Sequence, residues 1–169
     1  MDILTKIKEK AKTQVKTIVL PEALDMRMLK AAQIIKAEGT AKLILLGYRA
    51  EIEVAAAKAE VNLEGIEIID PKASPKREKY SETLYELRRH KGLTLEKARE
   101  LMGEPLYYAA MMVKEGDADG YVAGAANTTA DVFRPALQII KTAPGISIVS
   151  SAFIMIVPNC DLGQEGVFV

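Results

Sequence analysis

Tryptophan is absent from the 169 residues, histidine and cysteine occur once each, and aromatic residues make up 5%. With Cys160 alone, no intrachain disulfide and no multi-cysteine metal site can form. His90 has no serine or carboxylate partner evident in the sequence, so it reads as a surface or capping residue rather than a base. No apolar run approaches the ~20 residues of a membrane span. The opening "MDILTKIKEKAKTQVK" is charged and helical and lacks the apolar stretch of a signal peptide. A soluble, cytoplasmic protein with no membrane contact is expected. Lys+Arg and Asp+Glu each number 23, so no net basic field exists to hold nucleic acid. GxGxxG and Walker patterns are missing as well, which argues against a dinucleotide or NTP fold. Any anion must be held by local charge.

What is present alternates. "KTIVLPE" (16–22), "AKLILLG" (41–47), "IEIIDP" (66–71) and "DGYVAG" (119–124) read as short apolar strands. Between them lie helix-period segments at 25–38, 49–59, 76–102 and 104–115. Gly92 and Thr94 divide the 76–102 segment into a stop and a new cap. This alternation predicts a doubly wound parallel α/β layer. Pro-Gly punctuation in "KTAPGIS" (141–147) marks a boundary, giving a first domain over 1–143 and the start of a second over 144–169. Beyond it, "ISIVSSAFIMIV" (146–157) predicts a longer strand run, "PNCDLGQEG" (158–166) a hairpin connection and "VFV" a returning strand. Chains usually end in polar, solvated residues. An apolar last strand reads as truncation, with a short native protein ending on a sheet edge as the alternative.

The stretch "GYVAGAANTTADVFRPALQIIKT" (120–142) carries the chemistry. It follows a strand, at the carboxyl edge where open α/β sheets bind ligands. Small residues at 123–126 leave the backbone accessible, and Asn127, Thr128 and Thr129 offer an amide and hydroxyls to anionic oxygens. A following helix would present its free N–H groups to the same place. Arg134 adds a planar, permanently charged fork suited to phosphate. Because Arg134 precedes Pro135, the helix begins either at Pro135 or near Thr128 with a disturbance at the arginine. An ordinary capped helix with an exposed arginine explains the same residues. Similarly, Arg88-Arg89-His90-Lys91 is either a solvated helix end, where cations suit the dipole, or a contact for phosphates. Glu22, Asp25 and Arg27 can line the cleft, or form a local salt-bridged turn.

Taken whole, 120–142 resembles the signature of phosphate acetyltransferases and their phosphate butyryltransferase relatives. "TIVLPEALDMR" (17–27), "LILLG" (43–47), "YELRRHKGLTLEKA" (85–98) and "SAFIMIVPNCDLGQEGVFV" (151–169) agree in order and spacing. The resemblance implies interconversion of acetyl-CoA plus phosphate with acetyl phosphate plus CoA. It implies two α/β domains of the isocitrate/isopropylmalate dehydrogenase-like type, a cleft between them, a homodimer when full length, and no cofactor or metal beyond CoA as substrate. By the same resemblance Arg134 is the catalytic, phosphate-side arginine, Arg88 a second arginine for the substrates including CoA, and Thr128 and Thr129 the hydroxyl run. Cys160 falls near the site. The family often reads "SGAxHSTAD", so Ala123 and Asn127 depart from it. The carboxylate proposed to take the CoA thiol proton lies in a second half that this chain does not contain, so the chain alone is expected to be inactive. A phosphate butyryltransferase is the near alternative. From a different class comes a non-catalytic module binding acetyl phosphate or CoA, like that appended to some malic enzymes.

Overall fold

Four parallel strands, β1 (Lys16–Leu20), β2 (Ala41–Leu46), β3 (Glu67–Ile69) and β4 (Gly120–Tyr121), form one sheet in the order β3-β2-β1-β4. The structure is a computed structural model and describes residues 3–157 and 167–168. The register runs from Lys16↔Ala41 to Leu20↔Leu45 between β1 and β2, and β4 joins the opposite side of β1 at Ile18↔Gly120.

The strands carry apolar side chains on both faces, as the continuous runs in the sequence require. Val19, Ile44 and Leu46 enter one core with Tyr80, Leu84, Met102, Tyr108 and Ile139. That face is covered by α4 (Arg77–Arg88), α5 (Leu95–Leu101) and α6 (Pro105–Lys114). Leu20, Leu43 and Leu45 point the other way into a second core with Leu29, Ala32, Ile52 and Ala56. Those residues come from α2 (Met26–Glu38) and α3 (Arg49–Lys58). Helices thus cover both faces of a parallel sheet. The amino-terminal helix α1 (Ile3–Thr13) buries none of its residues.

Local signals set the boundaries. Asp25 caps α2 by accepting from the Arg27 amide, and Gly39 closes it at φ 67°. Gly92, at φ 82°, ends the 3-10 turn Arg89–Lys91 that follows α4, and Thr94 caps α5 by accepting from the Lys97 amide. A left-handed backbone of this kind is cheap only for glycine.

The chain order explains where a ligand can enter. From β1 it winds outward through β2 to β3, then crosses back through α4–α6 to place β4 on the other side of β1. The direction of winding reverses between β1 and β4, and the loops leaving their carboxyl ends diverge there.

Beyond residue 141 the expectation of a long strand run is corrected. Among the described residues beyond 141, strand is confined to Met155–Ile156 (β5) and Val167–Phe168 (β6), which pair antiparallel, so the returning strand is present in part. Residues 146–154 form no strand, and their apolar side chains lie open, with Phe153 84% exposed. Nothing in that segment packs Ile148, Phe153 or Ile154 against a second apolar surface, so strand propensity has no sheet to join. The expected hairpin connection at 158–166 lies outside the described residues.

Candidate active site

The loop after β4 is held from beneath by a carboxylate. Glu22, just past the end of β1, is 7% exposed. Its Oε2 accepts from the amides of Gly124 and Ala125, both at 2.8 Å. Its Oε1 accepts from the amides of Ala126 at 2.9 Å and Asn127 at 2.8 Å, and from Asn127 Nδ2 at 2.8 Å. Burial pushes this carboxyl up, but hydrogen bonds from the Asn127 side chain and from the Ala126, Ala125 and Asn127 amides outweigh it, leaving it lowered to about 2.

The loop's amides have a partner within the chain. The small residues at 123–126 do free the backbone to approach an anion, but the anion is Glu22 of the same chain. Asn127 lines the cleft and also donates from its side-chain amide to that carboxylate. The salt-bridged turn is real for Asp25 and Arg27, which pair at 2.7 Å, while Glu22 stands outside it. Arg27 also donates to the Ala125 carbonyl. The loop is therefore gripped on its amides by Glu22 and on a carbonyl by Arg27.

The helix α7 (Thr129–Pro135) begins at Thr128, which settles its start. Thr128 Oγ1 accepts from the Asp131 amide at 3.3 Å and donates to Asp131 Oδ2 at 2.7 Å. Pro135 sits inside the helix, where it has no N–H to give the preceding turn. A π-helical turn follows at Ala136–Ile140, so the helix begins near Thr128 and its disturbance falls just after Arg134. Thr129 is the first helical residue and is exposed.

Arg134 projects from α7 with its side chain 57% exposed, 3.6 Å from Asp131 Oδ1. It lines a cleft of about 700 Å³ along the carboxyl ends of β1, β2 and β3, together with Tyr48, Lys72, Tyr107 and Asn127. Arg88, at the end of α4, makes no hydrogen bond or ion pair among the described residues and does not line this cleft. The two arginines nevertheless share an environment. Burial pushes the Tyr107 phenol up, and the charges of Arg134, Arg88 and Lys97 oppose that push. Tyr107, which donates to Gln138 Oε1 at 3.1 Å, was not singled out by sequence. Its only signal is a Tyr at the start of a helix that packs on α7. Arg89 is paired with Glu86 at 3.1 Å and His90 is exposed. Cys160 lies outside the described residues.

Known proteins share this sequence and this fold. The profile of the Phosphate acetyl/butaryl transferase family matches residues 2–169. The chain belongs to that family. It is 55% identical over all 169 residues to a phosphate acetyltransferase from Acetivibrio thermocellus, and covers 50% of that protein. It is 55% identical over 168 residues to one from Thermoanaerobacterium thermosaccharolyticum, covering 51% of it. Among solved structures, a phosphotransacetylase from Streptococcus pyogenes superposes with a TM-score of 0.88 at 39% identity, over 94% of this chain and 49% of the other. The chain spans about half the length of the relatives it matches. Among the described residues, no helix is long and apolar enough to cross a membrane.

Proposed function

We propose that this chain supplies the phosphate-binding half of a phosphate acetyltransferase, interconverting acetyl-CoA and phosphate with acetyl phosphate and CoA. The observation that carries this is Arg134. It stands at the rim of a cleft at the sheet's switch point, in the last turn of α7, with its guanidinium 3.6 Å from Asp131 of the first turn. A guanidinium there matches the oxygens of a phosphoryl group and favours the charge that grows on phosphate as it departs. Thr129 adds a hydroxyl at the amino-terminal end of the same helix. Arg88, without an ion-pair partner among the described residues, serves the phosphates of CoA. Asn127 and Thr128 hold the loop and the helix start.

The CoA thiol, with an ordinary pKa of about 8.5, needs a base to become the attacking thiolate. By the resemblance that carboxylate belongs to the part of the family beyond the matched half. The reaction uses no prosthetic group or metal. We further propose a first domain over 1–143 and the start of a second over 144–169, in the dehydrogenase-like two-domain arrangement. In support, no described residue of 144–157 pairs with the four-stranded sheet. The complete protein is taken to be a cytoplasmic homodimer.

A chimera tests this. Residues 1–169 joined to the carboxyl-terminal half of the Acetivibrio thermocellus relative should form acetyl-CoA from acetyl phosphate and CoA, faster than butyryl-CoA from butyryl phosphate. The unjoined chain should not turn over. A folded chimera without phosphate-dependent acetyl transfer would overturn the proposal, and one that prefers butyryl phosphate would move it to the butyryl branch.

A further inference from the structure

The geometry points to Glu22 as the positioning residue of the anion site: it occupies the amides of Gly124, Ala125, Ala126 and Asn127 itself, and by holding that loop sets Thr129 and Arg134 for an incoming phosphoryl group. This rests on the acetyltransferase proposal for the identity of the substrate.

Three observations support it. First, the carboxylate accepts five hydrogen bonds of 2.8–2.9 Å from four consecutive residues. A run of amides converging on one point is what phosphate-binding loops offer to their ligand. In this loop the place is filled by an anion that belongs to the protein. A substrate phosphate cannot also use those donors while Glu22 does, so side chains must recognise it.

Second, the four amides end at Asn127, and the next residue is the cap of α7. Fixing the loop therefore fixes where α7 starts and the direction in which it leaves. Arg134 lies within that helix, so its position at the cleft rim follows from the loop.

Third, Glu22 is buried just past the end of β1, while the loop follows β4. These strands pair over only two residues, Ile18↔Gly120 and Val19↔Tyr121. Backbone pairing this short is a weak restraint. The carboxylate, with Arg27 gripping the Ala125 carbonyl from the opposite side, extends the β1–β4 junction beyond the last ladder bond and into the site.

The test combines a readout of the loop with a readout of substrate. In the 169-residue chain, the amides of residues 124–127 should be protected from hydrogen exchange, and Glu22→Gln should lose that protection. In the active chimera, Glu22→Gln should raise the KM for acetyl phosphate at least tenfold while kcat changes by less than about threefold and the KM for CoA holds. Persisting amide protection would overturn the inference, as would lost protection with an unchanged KM for acetyl phosphate. Should the chimera transfer no acetyl group, the acetyltransferase proposal fails on its own. Inorganic phosphate, titrated into the 169-residue chain, then decides for Glu22. Its shifts at Thr129 and the Arg134 side chain should be seen in the parent and lost in Glu22→Gln. Equal shifts in both, or none in the parent, would overturn the role. If Glu22→Gln does not fold, Asn127→Ala removes one of the five contacts, the Nδ2 donor, at an exposed position and leaves the four amides in place. It should then raise the same KM by a smaller factor, and no change would count against the role.

Discussion

Thr128 and Asp131 cap one another. The Thr128 hydroxyl donates to Asp131 Oδ2 at 2.7 Å and accepts from the Asp131 amide at 3.3 Å. The second oxygen of the same carboxylate faces Arg134 at 3.6 Å. One side chain thus finishes the helix start and also serves as the resting counter-ion of the arginine, which under the proposed function a substrate phosphate replaces. Asp131→Asn keeps an acceptor for Thr128 and removes the competing charge. Exposed ion pairs are worth up to about 1 kcal/mol, so this variant in the chimera should lower the KM for acetyl phosphate by up to about fivefold. Initial-rate kinetics at low ionic strength would read it.

Arg134→Gln should reduce kcat/KM for acetyl phosphate by about 10²–10³-fold, the usual loss when a donor to developing charge is removed. Arg134→Lys should recover little, because an ammonium cannot reproduce a planar fork. Arg89, already paired with Glu86 on the surface, provides the contrast: Arg89→Gln should stay within about twofold of the parent.

Acid should weaken the chain through Glu22 and Asp25. Both carboxyls are lowered to about 2, Asp25 chiefly by its hydrogen bonds with Arg27. A carboxyl depressed by folding adds stability in full above its ordinary range, and that stability is lost as pH falls through the folded value. Urea midpoints should therefore hold above about pH 5 and decline from there toward pH 2. In Glu22→Gln the decline should be shallower. An identical slope in parent and variant would remove Glu22 as a source.

In the core, the Tyr80 hydroxyl donates to Asp117, which also receives the Lys76 ammonium. Burial and then this bond hold the Tyr80 phenol well above its ordinary range, so it stays a neutral donor. Tyr80→Phe removes the hydroxyl and leaves Asp117 short of a partner. A loss of about 1–3 kcal/mol in urea denaturation is expected.

Much of this fold is legible in the residues. "KLILL" announces a strand buried on both faces, and Leu43 and Leu45 do enter one core while Ile44 and Leu46 enter the other. Gly92 and Thr94 mark the break between α4 and α5 because their roles are local. Arg134 and Thr128 are legible at the site for the same reason, since a cap and a fixed cation are read from neighbouring residues. Glu22 is not. Its partners lie 102–105 residues further along the chain, and "PEALD" carries no mark distinguishing a buried acceptor from a turn. Residues 146–154 mislead for the opposite reason. Their strand propensity is evident, but propensity makes a strand only where another surface receives it.

The reach of Glu22 along the chain also bears on the order of folding. β1 and β2 meet across a short connection, and α4 packs on its neighbour α5. The Glu22 contacts require closure of a loop of roughly a hundred residues before they return anything. They should be absent from the folding transition state. Glu22→Gln would then leave the refolding rate nearly unchanged and put its whole effect on unfolding, a φ-value near zero. The rim of the cleft would be the last part of the sheet to organise and the first to let go.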